Sequence, residues 1–95
     1  MDTCLMSSTL GPDYAARLRE HPERLQAVND EVEELGVRVV QQFALHGAYD
    51  FCNILEAPDE QTMAKVALIL ASRETVKTLT MAAIPIEQYI DTLRA

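Results

Sequence analysis

The sequence has 95 residues, 48% of them hydrophobic, and a formal net charge of -7. A chain of that size and apolar content makes one domain, residues 1–95, and can bury a core without disulfide or metal staples. Its acidity argues against nucleic acid and anionic membrane surfaces as partners, because both repel a negative protein.

No run approaches the roughly 20 apolar residues of a membrane span. The start, Met1-Asp2, lacks the basic region and long apolar stretch of a signal peptide. Cys4 and Cys52 have neither zinc nor redox spacing and read as reduced, buried thiols of a cytoplasmic protein. Trp is absent, so Leu, Val, Ile, Ala and Met must supply most of the core.

Residues Thr3 to Thr9 read as a strand, and Leu10-Gly11-Pro12-Asp13 as a turn. A short helix follows from Pro12 to Glu20, with Tyr14 and Leu18 on one face. Pro22 fits the first turn of a second helix but not the interior of a continuing one. In that second helix Leu25, Val28, Val32 and Leu35 form one apolar stripe. Gly36 follows, where a left-handed terminating residue is expected.

Val37 to Leu45 reads as the second strand, with Val39, Gln41, Phe43 and Leu45 on one face by period two. His46-Gly47-Ala48 reverses the chain into a third strand, Tyr49 to Glu56. Asp50, Cys52, Ile54 and Glu56 share one face of it, and Tyr49, Phe51, Asn53 and Leu55 the other. Ala57-Pro58-Asp59-Glu60 ends that strand and caps a third helix. Its buried stripe is Met63, Val66, Ala67 and Leu70, which Leu68 and Ile69 widen. Thr75 to Ala83 is the fourth strand. Pro85 opens a last helix with Ile86, Ile90 and Leu93 in line.

The order is βαββαβ plus a C-terminal helix. It predicts an α+β, ferredoxin-like fold: a four-stranded antiparallel sheet with both main helices on one face. All four strands place apolar side chains on both faces, so the helix-free face calls for a partner, most simply a second copy about a two-fold axis. The final helix is expected to cover an edge or reach the other subunit.

Gly47-Ala48-Tyr49-Asp50 followed by Glu56-Ala57-Pro58-Asp59 resembles the signature of the GYD-domain family. Thr9 and Gly11, Pro22 and Arg24, Leu35-Gly36, and Val76, Thr78 and Thr80 match in the same order. The resemblance covers nearly the whole chain. It implies the ferredoxin-like fold of the dimeric α/β-barrel superfamily, and it carries no assigned reaction. That superfamily includes cofactor-free monooxygenases, lactone isomerases, dehalogenase-like and haem enzymes, and ligand-binding regulators, so fold alone does not transfer an activity. Ala48 stands where the family often has a basic residue, Glu74 where Gly is usual, and Leu79 where an acid is common. Those changes imply a more apolar, less charged pocket if they line one.

His46, Tyr49 and Asp50 gather at one hairpin and form a candidate acid–base group. Against that stands a structural role, with Asp50 accepting turn hydrogen bonds, Tyr49 packing and His46 in solvent. The structural role is the favoured one. Asn53 is the polar member of an apolar strand face and is a candidate for orienting a ligand or bonding across a dimer. Arg24, with Arg17, could clamp an anion, although ion pairs with Glu20, Glu23 or Asp13 are the commoner outcome. Asp50 near Cys52 raises rather than lowers a thiol pKa, which disfavours a nucleophilic Cys52. His21, His46, Cys4 and Cys52 lie on separate elements, so no metal site is expected. His46 or His21 could serve as the single axial ligand of a haem, but no cofactor is predicted.

The leading expectation is a homo-oligomer, at least a dimer, that binds a small, largely apolar molecule between sheet and helices. Any catalysis would be cofactor-free chemistry at His46, Tyr49 and Asp50. The alternative is a non-catalytic interaction or assembly module. A pocket reached by two or more polar side chains favours the first; a filled core with contacts only at edges favours the second.

Overall fold

A computed structural model describes residues 1–73 and 76–95. Strand β1 spans Asp2–Leu10, helix α1 Pro12–Glu20, helix α2 Arg24–Glu34, strand β2 Arg38–Ala44, strand β3 Phe51–Ala57, helix α3 Glu60–Ala71, strand β4 Val76–Ala83 and helix α4 Ile86–Arg94. The four strands form one sheet in the order β2-β3-β1-β4, each neighbour antiparallel to the next. This is the ferredoxin-like α+β arrangement that the element order predicts. The expected start of the last strand at Thr75, and the departure at Glu74, lie outside the described residues.

Local chemistry sets the boundaries. Helix α2 ends at Gly36, whose φ of 96° suits glycine. Val37 N–H donates to the Val32 carbonyl at 3.2 Å, and Gly36 N–H to the Glu33 carbonyl at 3.0 Å. Those two bonds make a Schellman cap, and its hydrophobic contact is supplied by Val37 and Val32, both in the core. A Cβ at position 36 would meet nothing nearer than Thr62 Cγ2 at 3.9 Å, so the cost of replacing the glycine is conformational. Gly36→Ala should lower stability by about 1 kcal/mol, with Gly36→Asn falling less; chemical denaturation of the three proteins checks the order.

Helix α3 starts at Asp59, whose Oδ1 accepts from Thr62 N–H at 2.7 Å. Hydrogen bonds from Thr62, through its side chain first and its backbone second, hold this carboxyl below the usual range. At its other end Arg73 forks onto Glu31 of α2, with Nη1 donating to Oε2 at 2.7 Å and Nη2 to Oε1. The hydrogen bond from Arg73 likewise lowers the Glu31 carboxyl.

The core lies between the sheet and helices α2 and α3. It contains Cys4 and Met6 of β1, Leu55 and Ala57 of β3, Val32, Val37, Met63, Val66 and Leu70. The apolar stripes read from helical spacing in α2 and α3 are therefore the ones that face the core. Leu68 is an exception: it is 71% exposed and faces away from the sheet.

The expected alternation of the second strand breaks at one place. Val39 pairs with Leu55, yet Gln41 pairs with Ile54 and Phe43 with Cys52. A bulge between Val39 and Gln41 shifts the register, putting Val39 on the helix-covered face and Phe43 on the other. Period two, applied without a bulge, wrongly grouped the two. The loop around His46-Gly47-Ala48 is also longer than the three to five residues expected of this hairpin, because β2 ends at Ala44 rather than Leu45 and β3 begins at Phe51 rather than Tyr49.

The second sheet face carries Leu5, Phe43, Cys52, Ile54, Leu79 and Met81, by the pairing register. Phe43, Leu79 and Met81 are each more than 40% exposed. Helix α4 leaves its own apolar line, Ile86, Tyr89, Ile90 and Leu93, open to solvent and buries none of its residues. Within one chain it does not cover the sheet.

Candidate functional site

Two places hold the residues singled out above. The first is the loop from Leu45 to Asp50. Asp50 N–H donates to the Ser8 carbonyl at 2.9 Å, and Leu45 N–H donates to the Asp50 carbonyl at 2.8 Å. The Asp50 carboxylate accepts from Leu10 N–H at 2.7 Å. One residue thus ties the end of β1 to both sides of the β2–β3 loop. His46 and Tyr49 sit on the same loop but are exposed. The loop gathers the trio, yet only Asp50 is built into the fold. Asp50→Ala should cost about 2 kcal/mol, since it strands a partly buried N–H and removes a charge-assisted bond, whereas Asp50→Asn should lose less; thermal unfolding separates them.

The rest of the family signature has equally structural work. Glu56 accepts from Arg38 Nη1 at 3.4 Å across the strand pair. Ala57 is fully buried, and Asp59 caps α3.

The second place is a cleft of about 60 Å³ between the sheet and helices α1 and α2. Tyr14, Leu25 and Val28 come from the helices; Met6, Ser8, Phe51, Asn53 and Gln42 come from the sheet. Asn53 and Gln42 are direct cross-strand partners and so share a face. Gln42 Oε1 accepts from Asn29 Nδ2 of α2 at 2.9 Å. Asn53 Oδ1 is buried without a partner among the described residues, as is Thr80 Oγ1 on the far side of Met6. Of the ligand-binding candidates, Asn53 is therefore in the cleft wall. Arg24 is not among the lining residues and is exposed at the start of α2, like Arg17 on α1. Glu23, an expected partner for those arginines, instead lies 3.3 Å from His21 Nδ1.

Leu79, the departure that would have made a pocket more apolar had it lined one, is not in the cleft wall. It pairs with Ser7 on the helix-free face, so its apolar character enriches that face and not the cleft. Cys4 is buried, and burial pushes its thiol pKa up, with the Asp2 and Glu60 charges adding to the rise. Cys52 is only half-buried and lies on the opposite sheet face, so the two thiols are not an equivalent pair. Among the described residues no cluster of three His, Cys, Asp or Glu side chains could hold a metal ion, and no helix is long and apolar enough to cross a membrane.

Ser8, Thr78 and Gln42 escaped the sequence reading as site residues. Thr78 carried a signal, alternating with Thr80 about Leu79, whereas Ser8, its cross-strand partner, sits in the polar run Ser7-Ser8-Thr9 and has none. The Asn29–Gln42 bond carried none, because it joins elements through tertiary packing alone.

The model of the GYD domain matches residues 4–93. The chain belongs to the GYD-domain family. This GYD chain is 48% identical over 95 residues, 99% of its length and 100% of the relative's, to a Thermus thermophilus protein named "Glutamine synthetase and cystathionine beta-lyase binding protein". Among solved structures it resembles TTHA0845, also from Thermus thermophilus, with a TM-score of 0.59 and 22% identity over 90% of this chain and 95% of that one. It also resembles FFRP-DM1, with a TM-score of 0.62 and 20% identity over 88% of this chain and 100% of that one. MtbAldR gives a TM-score of 0.67 at 16% identity, over 88% of this GYD chain and 52% of the other. At those identities the structural likeness speaks for the fold alone.

Proposed function

We propose that this GYD chain is an interaction module, a homo-oligomer that docks onto glutamine synthetase, cystathionine beta-lyase or both. The observation that carries the proposal is the 48% identity, over the full length of both chains, to a protein named for binding those two enzymes. The surface agrees with it. An apolar sheet face and an amphipathic helix, neither covered within one chain, supply one surface for self-association and one for a partner. In this reading the sheet face meets a second copy, as in a dimeric α/β barrel, and the protein works in the cytoplasm beside its enzymes.

The test is interferometry with the immobilised chain and each enzyme purified from the organism that encodes it. Saturable binding with a Kd at or below about 10 μM, displaced by free chain, supports the proposal. No response from either enzyme at ten times that concentration overturns it.

The buried Asn53 Oδ1 supports a second reading, in which the cleft takes a small, largely apolar molecule. His46, Tyr49 and Asp50 would be the acid–base group of any accompanying reaction. They are not among the residues lining the cleft, so the second reading is one of binding without chemistry.

A further inference from the structure

The walls of the cleft are uncharged. Among the described residues, no Asp, Glu, Lys, Arg or His lines it, although the chain as a whole is strongly acidic. A charged guest would lose its hydration there and find no counter-charge. Ser8, Tyr14, Thr78, Gln42 and Asn53 supply polar groups to the wall, and the last two stand as a cross-strand pair. Asn53 presents an acceptor with no partner among the described residues. Its cross-strand neighbour Gln42 has its carbonyl oxygen engaged by Asn29 and keeps its amide N–H groups to donate. Around them stand Met6, Leu25, Val28 and Leu70, all apolar.

An unpartnered buried acceptor is destabilising, and a leucine in its place would relieve the cost. Folding therefore gives no reason for an asparagine at position 53. Recognition does, because a guest that donates to Asn53 and accepts from Gln42 satisfies both.

We propose that the cleft binds a small uncharged molecule with a short apolar body and a head that carries both a donor and an acceptor, such as a primary carboxamide or an alcohol. This rests on the small-molecule reading of the cleft and adds the class of ligand and the two residues that select it. A cavity volume of about 60 Å³ favours a guest of only a few heavy atoms.

Propionamide and propionate have nearly the same shape and differ in charge. Titrating each into the ¹⁵N-labelled full chain at neutral pH, followed by amide chemical shifts, tests the proposal. Propionamide should shift Met6, Val28, Gln42 and the Asn53 side chain saturably, with propionate at least about tenfold weaker. Asn53→Leu should weaken propionamide by about tenfold while raising the melting temperature by a few degrees. Val28→Phe, which fills the cleft from α2, should also remove the shifts, and it serves as the control should Asn53→Leu misfold. Equal binding of propionate at these residues would overturn the ligand class while leaving the cleft a binding site. Shifts scattered over the surface, or unchanged binding in either folded variant, would overturn both. Docking of the two enzymes is measured separately and is independent of all these outcomes.

Discussion

If the helix-free face joins two copies as proposed, Ile54→Asp is expected to leave folded single chains. Ile54 sits on β3 with its side chain on the helix-free face, between Leu5 on β1 and Gln41 on β2. It is half-buried in the single chain and outside the core cluster, so a carboxylate there keeps part of its hydration in the separate subunit and costs the fold less than one in the core. Across a two-fold interface each replacement appears twice, and both charges must be desolvated against apolar partners. A penalty of several kcal/mol weakens association by about a thousandfold or more. Sedimentation equilibrium should show an oligomer for the wild type and a monomer for the variant, with matching far-UV circular dichroism. A wild-type protein that is itself monomeric, or a variant that keeps its mass, would remove the sheet face as the self-association surface. The enzyme-docking proposal would then have to place its contacts on α4 alone.

That this face could be read from sequence at all follows from how strands encode their sides. In β3 the alternation Cys52, Ile54, Glu56 against Phe51, Asn53, Leu55 survives intact in the pairing register. Helix α2 was equally legible, because Val28, Val32 and Leu35 recur at helical spacing and Gly36 marks the stop. Where legibility failed, the cause was a contact between residues distant in sequence. Nothing in Val39-Val40-Gln41 announces a bulge, since two adjacent valines fit either side of a regular strand. Asp50 reaches across 40 positions to Leu10 N–H, a bond that delays the start of β3 and that no local pattern contains. The hairpin residues thus looked like a site because they cluster, and the structure gives the best-anchored of them a fold-making role. Asn53 is the converse. Its polarity on an apolar strand face was visible from the start, but its lack of a partner emerges only when the helices close over it.

Leu55→Ala, one residue along from Ile54, should have the opposite consequence: a loss of stability with no direct effect on the association surface. Leu55 is 2% exposed and pairs with Cys4 on one side and Val39 on the other, beneath the two main helices. Truncation removes buried methyl groups and leaves a cavity bounded by strands that cannot close up, because their spacing is fixed by the backbone ladder. The expected cost is about 3 kcal/mol, a large share of the roughly 5–15 kcal/mol typical of a small domain. For a domain of this size that lowers the melting temperature by roughly 12–24 °C. In urea the midpoint should fall with little change in slope, since the surface exposed on unfolding is nearly the same. A loss below about 1 kcal/mol would mean that the helices settle into the space, so that α2 and α3 ride on the sheet more loosely than their buried stripes imply. The two neighbouring substitutions separate the two faces of one strand, since Leu55 packs in the subunit's core and Ile54 lies on the face proposed to meet a second copy.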